Sequence, residues 1–182
     1  MPHQVRLVTA EEFARLPDDD CRYELVEGRI IRMSPPGSLH GALTARLTML
    51  LGRHVEAGNL GTVLGEAGYE LASNPDTVRG PDLSFIRRER IPPTGLPEGF
   101  WPGAPDFAVE IRSPGDRSAE IVAKVDEYLT RGVRLVWVVD PSKKTVTAYR
   151  RMSAPVVAGV DDILDAGDVV LNFRCVVRQI FE

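Results

Sequence analysis

Three charged residues stand where the surrounding sequence asks for apolar ones. Asp82 lies in VRGPDLSFI, where Val78, Leu83, Phe85 and Ile86 read as a buried strand and a stiff Gly-Pro lead-in delivers a carboxylate at its start. Glu110 lies in DFAVEIRSP. Strand side chains alternate between faces, so Asp106, Ala108, Glu110 and Arg112 share one face and Phe107, Val109 and Ile111 the other. Glu110 therefore interrupts an otherwise good core strand. Lys124 follows Ile121 by three and precedes Tyr128 by four, on the inward helical stripe of Ile121, Val125, Tyr128 and Leu129. A buried carboxylate must be paired, hydrogen-bonded or bound to a metal, and a lysine on such a stripe either snorkels out or meets an acid.

Two acids and a lysine on apolar elements are the groups a magnesium-dependent phosphodiesterase needs. Mg²⁺ prefers oxygen, keeps several waters and is typically held by one or two carboxylates plus substrate phosphate. It polarises the phosphoryl oxygen and lowers the pKa of a bound water. A nearby lysine orients the attacking water and offsets transition-state charge. Each residue alone has a bland reading: Asp82 as a turn residue, Lys124 as a snorkelling stem, Glu110 as the ion-pair partner of Arg112 or Lys124. Together they each break their own element's pattern, and such breaks concentrate at functional sites.

The elements that must position them follow from spacing. TAEEFARL reads as a short helix with Thr9 as N-cap and Glu12 closing a capping box. CRYELVEGRIIRM reads as a hairpin around Glu27-Gly28, and SPPGS as a loop. Residues 39–57 form a helix, with Leu43, Leu47, Leu50, Leu51 and Val55 on one face, Ser38 as cap and Gly58 as stop. TVLGEAGYEL is a strand broken or bulged at its glycines, antiparallel to VRGPDLSFI. Residues 87–104 are a long Pro- and Gly-rich loop, of the kind that is often functional. The strand DFAVEIRSP, a helix over residues 117–131 with Glu120 and Glu127 on its solvated side, the apolar strand VRLVWVVDP, the strand KTVTAYRR and a last strand VLNFRCVVRQIF complete the order. VRLVWVV has the continuous apolar character of a strand covered on both faces, so a central mixed sheet with a helix on each side is expected.

The chain has 182 residues and a formal net charge of −4. That length favours one domain with a real core. The charge argues against coating nucleic acid by bulk attraction, so contact with DNA requires a local basic patch. Cys21 and Cys175 lie far apart, in no metal-like spacing, and are expected as reduced thiols. No apolar run reaches membrane-spanning length and no signal peptide is evident. The expectation is a cytoplasmic protein with no membrane partner.

GPDLSFI, then PDFAVEIRSP, then a helical Lys124 resembles the PD-(D/E)XK, or restriction endonuclease-like, superfamily. More narrowly it is similar to the bacterial family of putative restriction endonucleases expanded in cyanobacteria, formerly a domain of unknown function. The likeness runs from about Thr9 to the C-terminus, through RYELVEGRIIRMSPPGSLHG, DTVRGPDLSFI, DFAVEIRSPGDR and KVDEYLTRGVRLVWVVDP. It implies an α/β fold: a restriction endonuclease-like core with a central mixed β-sheet flanked by helices, and an N-terminal helix and β-hairpin extension. Residues 1–182 would be one domain, with the extension at 1–38, the core at 39–150 and a C-terminal strand extension at 151–182.

The resemblance implies Asp82 and Glu110 as metal ligands, with the main-chain carbonyl of Ile111, and Mg²⁺ as cofactor with Mn²⁺ as substitute. The superfamily's lysine two places after the glutamate is Arg112 here, whose guanidinium cannot act as a base. In the narrower family the lysine comes from the following helix, which corresponds to Lys124, with Arg112 secondary. Glu24 matches a family position and either reaches the metal, holds Lys124, or is an exposed hairpin carboxylate. His40 either contacts the site or phosphate backbone, or is a core or capping residue. Glu66 is a weaker candidate.

Arg87, Arg88 and Arg90, with Arg112 and Arg117, are the expected phosphate contacts, against the alternative of solvated loop charges. Phe100 and Trp101 would stack on a base or close the core from outside. The functional expectation is an endonuclease hydrolysing DNA phosphodiester bonds, with a homodimer serving two strands. The alternatives are an inactive nucleic-acid- or protein-binding module on the same fold, and a generic domain in which Glu110 and Lys124 are merely a buried ion pair.

Overall fold

The computed structural model of the chain describes residues 6–17 and 21–182. Thr9 and Glu12 close the expected capping box and start α1 (Ala10–Ala14). The hairpin forms as β1 (Arg22–Val26) and β2 (Arg29–Met33). Its turn residues Glu27 and Gly28 take φ of 49° and 73°, the paired left-handed conformation that tight hairpins need. The long helix is α2 (Ser38–Ala57), burying Leu43, Leu47, Leu51 and Val55 and ending at Gly58. Ser38 is its first helical residue and not its cap; Gly37 holds that position and offers no side-chain oxygen.

The segment expected as one broken strand is two strands, β3 (Gly61–Gly65) and β4 (Tyr69–Ala72). VRGPDLSFI also splits, into β5 (Thr77–Arg79) and β6 (Leu83–Arg87). β3 pairs with β6 and β4 with β5, both antiparallel. The expected hairpin is thus present, but it bends midway, and its halves belong to different sheets. The bend falls at Glu66, with φ 52°, and at Gly80-Pro81-Asp82, where proline removes a ladder donor.

The chain continues through β7 (Trp101–Pro102), β8 (Phe107–Ile111), α3 (Ser118–Thr130), β9 (Leu135–Asp140), β10 (Thr145–Tyr149), β11 (Val156–Ala158), β12 (Ile163–Asp165), β13 (Arg174–Val176) and α4 (Arg178–Phe181). The expected last strand over residues 170–181 is therefore only β13, followed by a helical turn that buries Ile180. Among the described residues the strands form a six-stranded sheet in the order β11-β10-β9-β8-β6-β3, a five-stranded sheet β2-β1-β5-β4-β7 and a two-stranded sheet β12-β13. β8 runs parallel to β9 and antiparallel to β6, so the main sheet is mixed.

Alternation along the central strands gives each helix a face. Leu83, Phe85, Phe107, Val109, Ile111, Leu135 and Trp137 join the α2 leucines in one core cluster. Ile86, Ala108, Val136 and Val138 pack with Val125 and Tyr128 of α3 in another. Trp101 is buried, lies under the Arg90 guanidinium and pairs β7 with β4, while Phe100 stacks on Phe13. Both aromatics close the core from outside. Cys175 is a buried free thiol, and burial pushes its pKa up to about 11. Among the described residues no helix is long and apolar enough to cross a membrane.

Candidate active site

Asp82 sits at the corner where the bent hairpin passes between sheets, and it is buried. Its Oδ2 accepts the Ile111 main-chain N–H at 2.7 Å and lies 3.1 Å from Nε2 of His40, in the first turn of α2. The other oxygen, Oδ1, has Arg22 Nη1 at 3.9 Å, beyond hydrogen-bond range. The hydrogen bond to Asp82 raises the His40 pKa, against the lowering effect of burial. Among the described residues the buried His40 Nδ1 has no hydrogen-bond partner.

Glu110 projects from β8 toward α3. It accepts the Tyr128 hydroxyl at 2.7 Å, and Lys124 Nζ lies 3.0 Å and 3.1 Å from its two oxygens. The same ammonium is 3.0 Å from Oε1 of Glu24, on β1. Glu24 in turn accepts from Arg79 Nη1 at 2.8 Å and from the Gly80 N–H at 3.2 Å. Arg79 Nε donates onward to Glu127 at 2.7 Å. The result is a chain of alternating charge, Glu110–Lys124–Glu24–Arg79–Glu127, that ties β8, α3, β1 and β5 together. Glu127, expected on the solvated side of its helix, is instead half-buried, because the Arg79 side chain of β5 reaches across to it. Glu120 is exposed as expected.

Burial pushes the Glu110 carboxyl up to about 7; Lys124 opposes the shift, and the Asp82 and Glu24 carboxylates add to it. Burial would also raise Glu24, but Lys124 and Arg79 outweigh it and hold that carboxyl below its ordinary range. Burial would lower Lys124, but Glu110 and Glu24 outweigh it and keep the ammonium protonated. Lys124 is therefore a charge and a donor in this arrangement. Burial raises the Tyr128 pKa well above its ordinary value, with Glu110 adding to the shift, so its hydroxyl stays a donor.

These features fit a hard cation. The carboxylates Asp82, Glu110, Glu24 and Glu127 are gathered around the cations Lys124 and Arg79, with Arg22 beside Asp82. Burial is the main cause of the raised Glu110 carboxyl and the Asp82 and Glu24 carboxylates add to it; a divalent ion would offset that negative charge. Among the described residues no group of three or more His, Cys, Asp or Glu is arranged to hold an ion. Asp82 and Glu110 offer carboxylate oxygens, the donor type of an ion that keeps several of its own waters.

Other expected residues lie elsewhere. Arg112 Nη1 pairs with Asp140 at 3.0 Å, and its Nη2 reaches Ser118 and the Asp116 carbonyl. Arg87 begins the far end of β6. Five residues at about 3.3 Å each put it roughly 16 Å along the strand from Asp82, where it bonds the Asp168 carbonyl and, through its main-chain N–H, Asp106. Arg90 is held by Asp106 and the Ala104 carbonyl, and Arg88 is exposed at that same end. These arginines stand away from Asp82 because β6 carries the chain to the opposite end of the sheet. Arg117 is exposed beside Glu120 at the start of α3.

Sequence reading missed Arg22, Arg79 and the hydroxyl of Tyr128 as members of the cluster. Arg22 was legible in part: it shares a strand face with Glu24 two residues on. Glu66, a weak expectation, takes Arg22 Nη1 at 2.9 Å.

No curated protein matches the sequence. A solved structure described as a putative nuclease belonging to DUF820, from Anabaena variabilis, superposes with a TM-score of 0.84 over 96% of this chain and 97% of that one, at 24% identity. It shows the same fold. The family model described as "Uma2: Putative restriction endonuclease" matches residues 10–177, which span the Asp82 corner, Glu110, Lys124 and β13. The chain belongs to that family.

Proposed function

We propose that the protein is an endonuclease that hydrolyses DNA phosphodiester bonds with the help of Mg²⁺, for which Mn²⁺ would substitute. The observation that supports this best is the buried meeting of Lys124 with Glu110, 3.0 Å apart, beside Asp82, whose Oδ2 is bonded to the very next residue, Ile111. Asp82, Glu110 and the Ile111 carbonyl would hold the ion. When bound, it would polarise the phosphoryl oxygen and lower the pKa of a water.

The chain's own residues have distinct tasks in this reading. Ile111 N–H and His40 fix one oxygen of Asp82, which leaves Oδ1 for the ion. Tyr128 and Lys124 fix Glu110. Glu24, itself held by Arg79, holds Lys124 from the other side, so the ammonium would keep a partner with Glu110 engaged by the ion. From there it donates to the attacking water or to a phosphoryl oxygen and offsets the charge that builds on phosphorus. The water oxygen forms the new bond to phosphorus and gives up a proton to solvent, the bond to the leaving sugar oxygen breaks, and that oxygen takes up a proton from solvent. Cutting both strands of a duplex calls for a symmetric pair of sites, so a homodimer is the matching assembly.

The test is plasmid and oligonucleotide cleavage with Mg²⁺ or Mn²⁺. Asp82→Asn and Glu110→Gln should each abolish divalent-dependent cutting while circular dichroism stays that of the wild type. Cutting by both variants at the wild-type rate refutes the assignment.

A further inference from the structure

We propose that Arg22 is the arginine that meets the phosphate of the strand being cut; this rests on the nuclease reading and names the substrate contact of that site. Asp82 spends Oδ2 on Ile111 and His40. The oxygen left over is Oδ1, and the cation beside it is Arg22, with Nη1 at 3.9 Å. At that separation the guanidinium is near the carboxylate without being bonded to it. It is therefore placed to accept a second anion on the same side as the ion's ligand.

Accessibility separates Arg22 from the cluster's other cations. Its side chain is 32% exposed, against 14% for Lys124 and 15% for Arg79. It lines a hollow of about 370 Å³ with Glu24, Glu66 and Gly80, and another of about 520 Å³ with Arg32 and the loop after β2. Lys124 and Glu110 open onto a different hollow, of about 770 Å³, lined with the acids Glu27, Asp116, Glu120 and Glu127, which repel a polynucleotide backbone; Arg22 is the cation on the Asp82 side that solvent reaches. Arg112, the other candidate for this task, is turned to Asp140 and Ser118.

Glu66 acts as the resting partner. It holds Arg22 at 2.9 Å from a left-handed backbone position, φ 52°, at the bend of the hairpin. Such a conformation is costly for a non-glycine residue and is retained where the surroundings demand it. The Glu66 side chain is 49% exposed, and exposed ion pairs are weak. A phosphate, which can take two parallel N–H bonds from one guanidinium, displaces it at little cost.

The test uses the full chain with Arg22→Met, Arg22→Lys and Glu66→Gln. It reads Mn²⁺ binding by calorimetry, cleavage with Mn²⁺, and the salt dependence of binding to a labelled DNA oligonucleotide in Ca²⁺. Arg22→Met should leave Mn²⁺ affinity within about twofold, lower kcat by about 10²–10³-fold as loss of one transition-state donor does, and reduce the salt slope by about one phosphate contact. Arg22→Lys should restore the slope but only part of kcat, because an ammonium lacks the fork. Glu66→Gln should tighten oligonucleotide binding.

If Arg22→Met does not fold, the lysine and Glu66 variants decide: an unchanged kcat in the first with unchanged affinity in the second overturns the proposal. So does Arg22→Met cutting and binding as the wild type does, and in that case the nuclease reading stands. A wild-type protein that takes up Mn²⁺ yet neither binds nor cuts DNA sinks both.

Discussion

Tyr128 donates its hydroxyl to Glu110 over 2.7 Å, and one turn earlier on the same helix Lys124 reaches the same carboxylate. One helix therefore both fixes the carboxylate and supplies its counter-charge. Tyr128→Phe should cost about 1–2 kcal/mol in urea denaturation, as loss of a buried hydrogen bond to a charged group does. It should also shift Glu110 further up in a pH titration, because that bond lowers its pKa. Cleavage should fall by about tenfold or less, since Lys124 remains.

Glu24 is the group that keeps Lys124 in place from the opposite sheet. Glu24→Gln leaves Lys124 and Arg79 sharing fewer negative partners. Breaking a buried pair in this way typically costs about 3–5 kcal/mol, measurable as a lowered denaturation midpoint. Cleavage should drop while Mn²⁺ affinity, which depends on Asp82 and Glu110, changes less. Equal losses of both would place Glu24 among the ion's ligands instead.

The metal-free protein should show a pH signature of Glu110. Its folded pKa, about 7, lies above the ordinary 4.5, so the neutral form favours the fold. That contribution is complete below pH 4.5 and is lost as pH rises to about 7, by roughly 3 kcal/mol at most. Glu24, shifted the other way, contributes above pH 4.5 and loses its contribution as pH falls below that value. Stability from these two groups should thus peak near pH 4.5–5. Glu110→Gln should flatten the decline between pH 4.5 and 7, which urea midpoints across that range would reveal.

Binding of Mn²⁺ requires ionised Glu110 and so should release a proton below pH 7. Apparent affinity should rise about tenfold per pH unit up to that point and then level off. Calorimetry in buffers of different ionisation enthalpy measures the proton directly. Added Mn²⁺ should raise the melting temperature of the wild type, and EDTA should reverse it. Neither effect should appear in Asp82→Asn.

The sequence was most informative where one residue contradicted its own element. Asp82, Glu110 and Lys124 each broke a period of two or of 3.6, and the structure brings their carboxylates and ammonium into one electrostatically coupled cluster. Short-range chemistry was also legible: the Thr9–Glu12 capping box, the Glu27-Gly28 turn and the leucine stripe of α2 all form. What escaped was pairing between distant segments. Nothing local in RGPD says that Arg79 bridges Glu24 to Glu127, or that Arg22 rather than Arg112 neighbours Asp82. The place of the arginines after β6 was hidden for a related reason. Adjacency in sequence to Asp82 becomes separation in space once a strand carries the chain away.

The bend that splits the β3–β6 hairpin between two sheets has a mechanical outcome. Arg22, Glu24, Glu66 and Arg79 ride on or beside the smaller sheet, whereas Glu110 and Lys124 belong to the larger sheet and its helix, with Asp82 at the crease. Any rocking of one sheet against the other opens or shuts the cluster itself, so a partner that clamps the two sheets together would gate chemistry without touching a single reacting group.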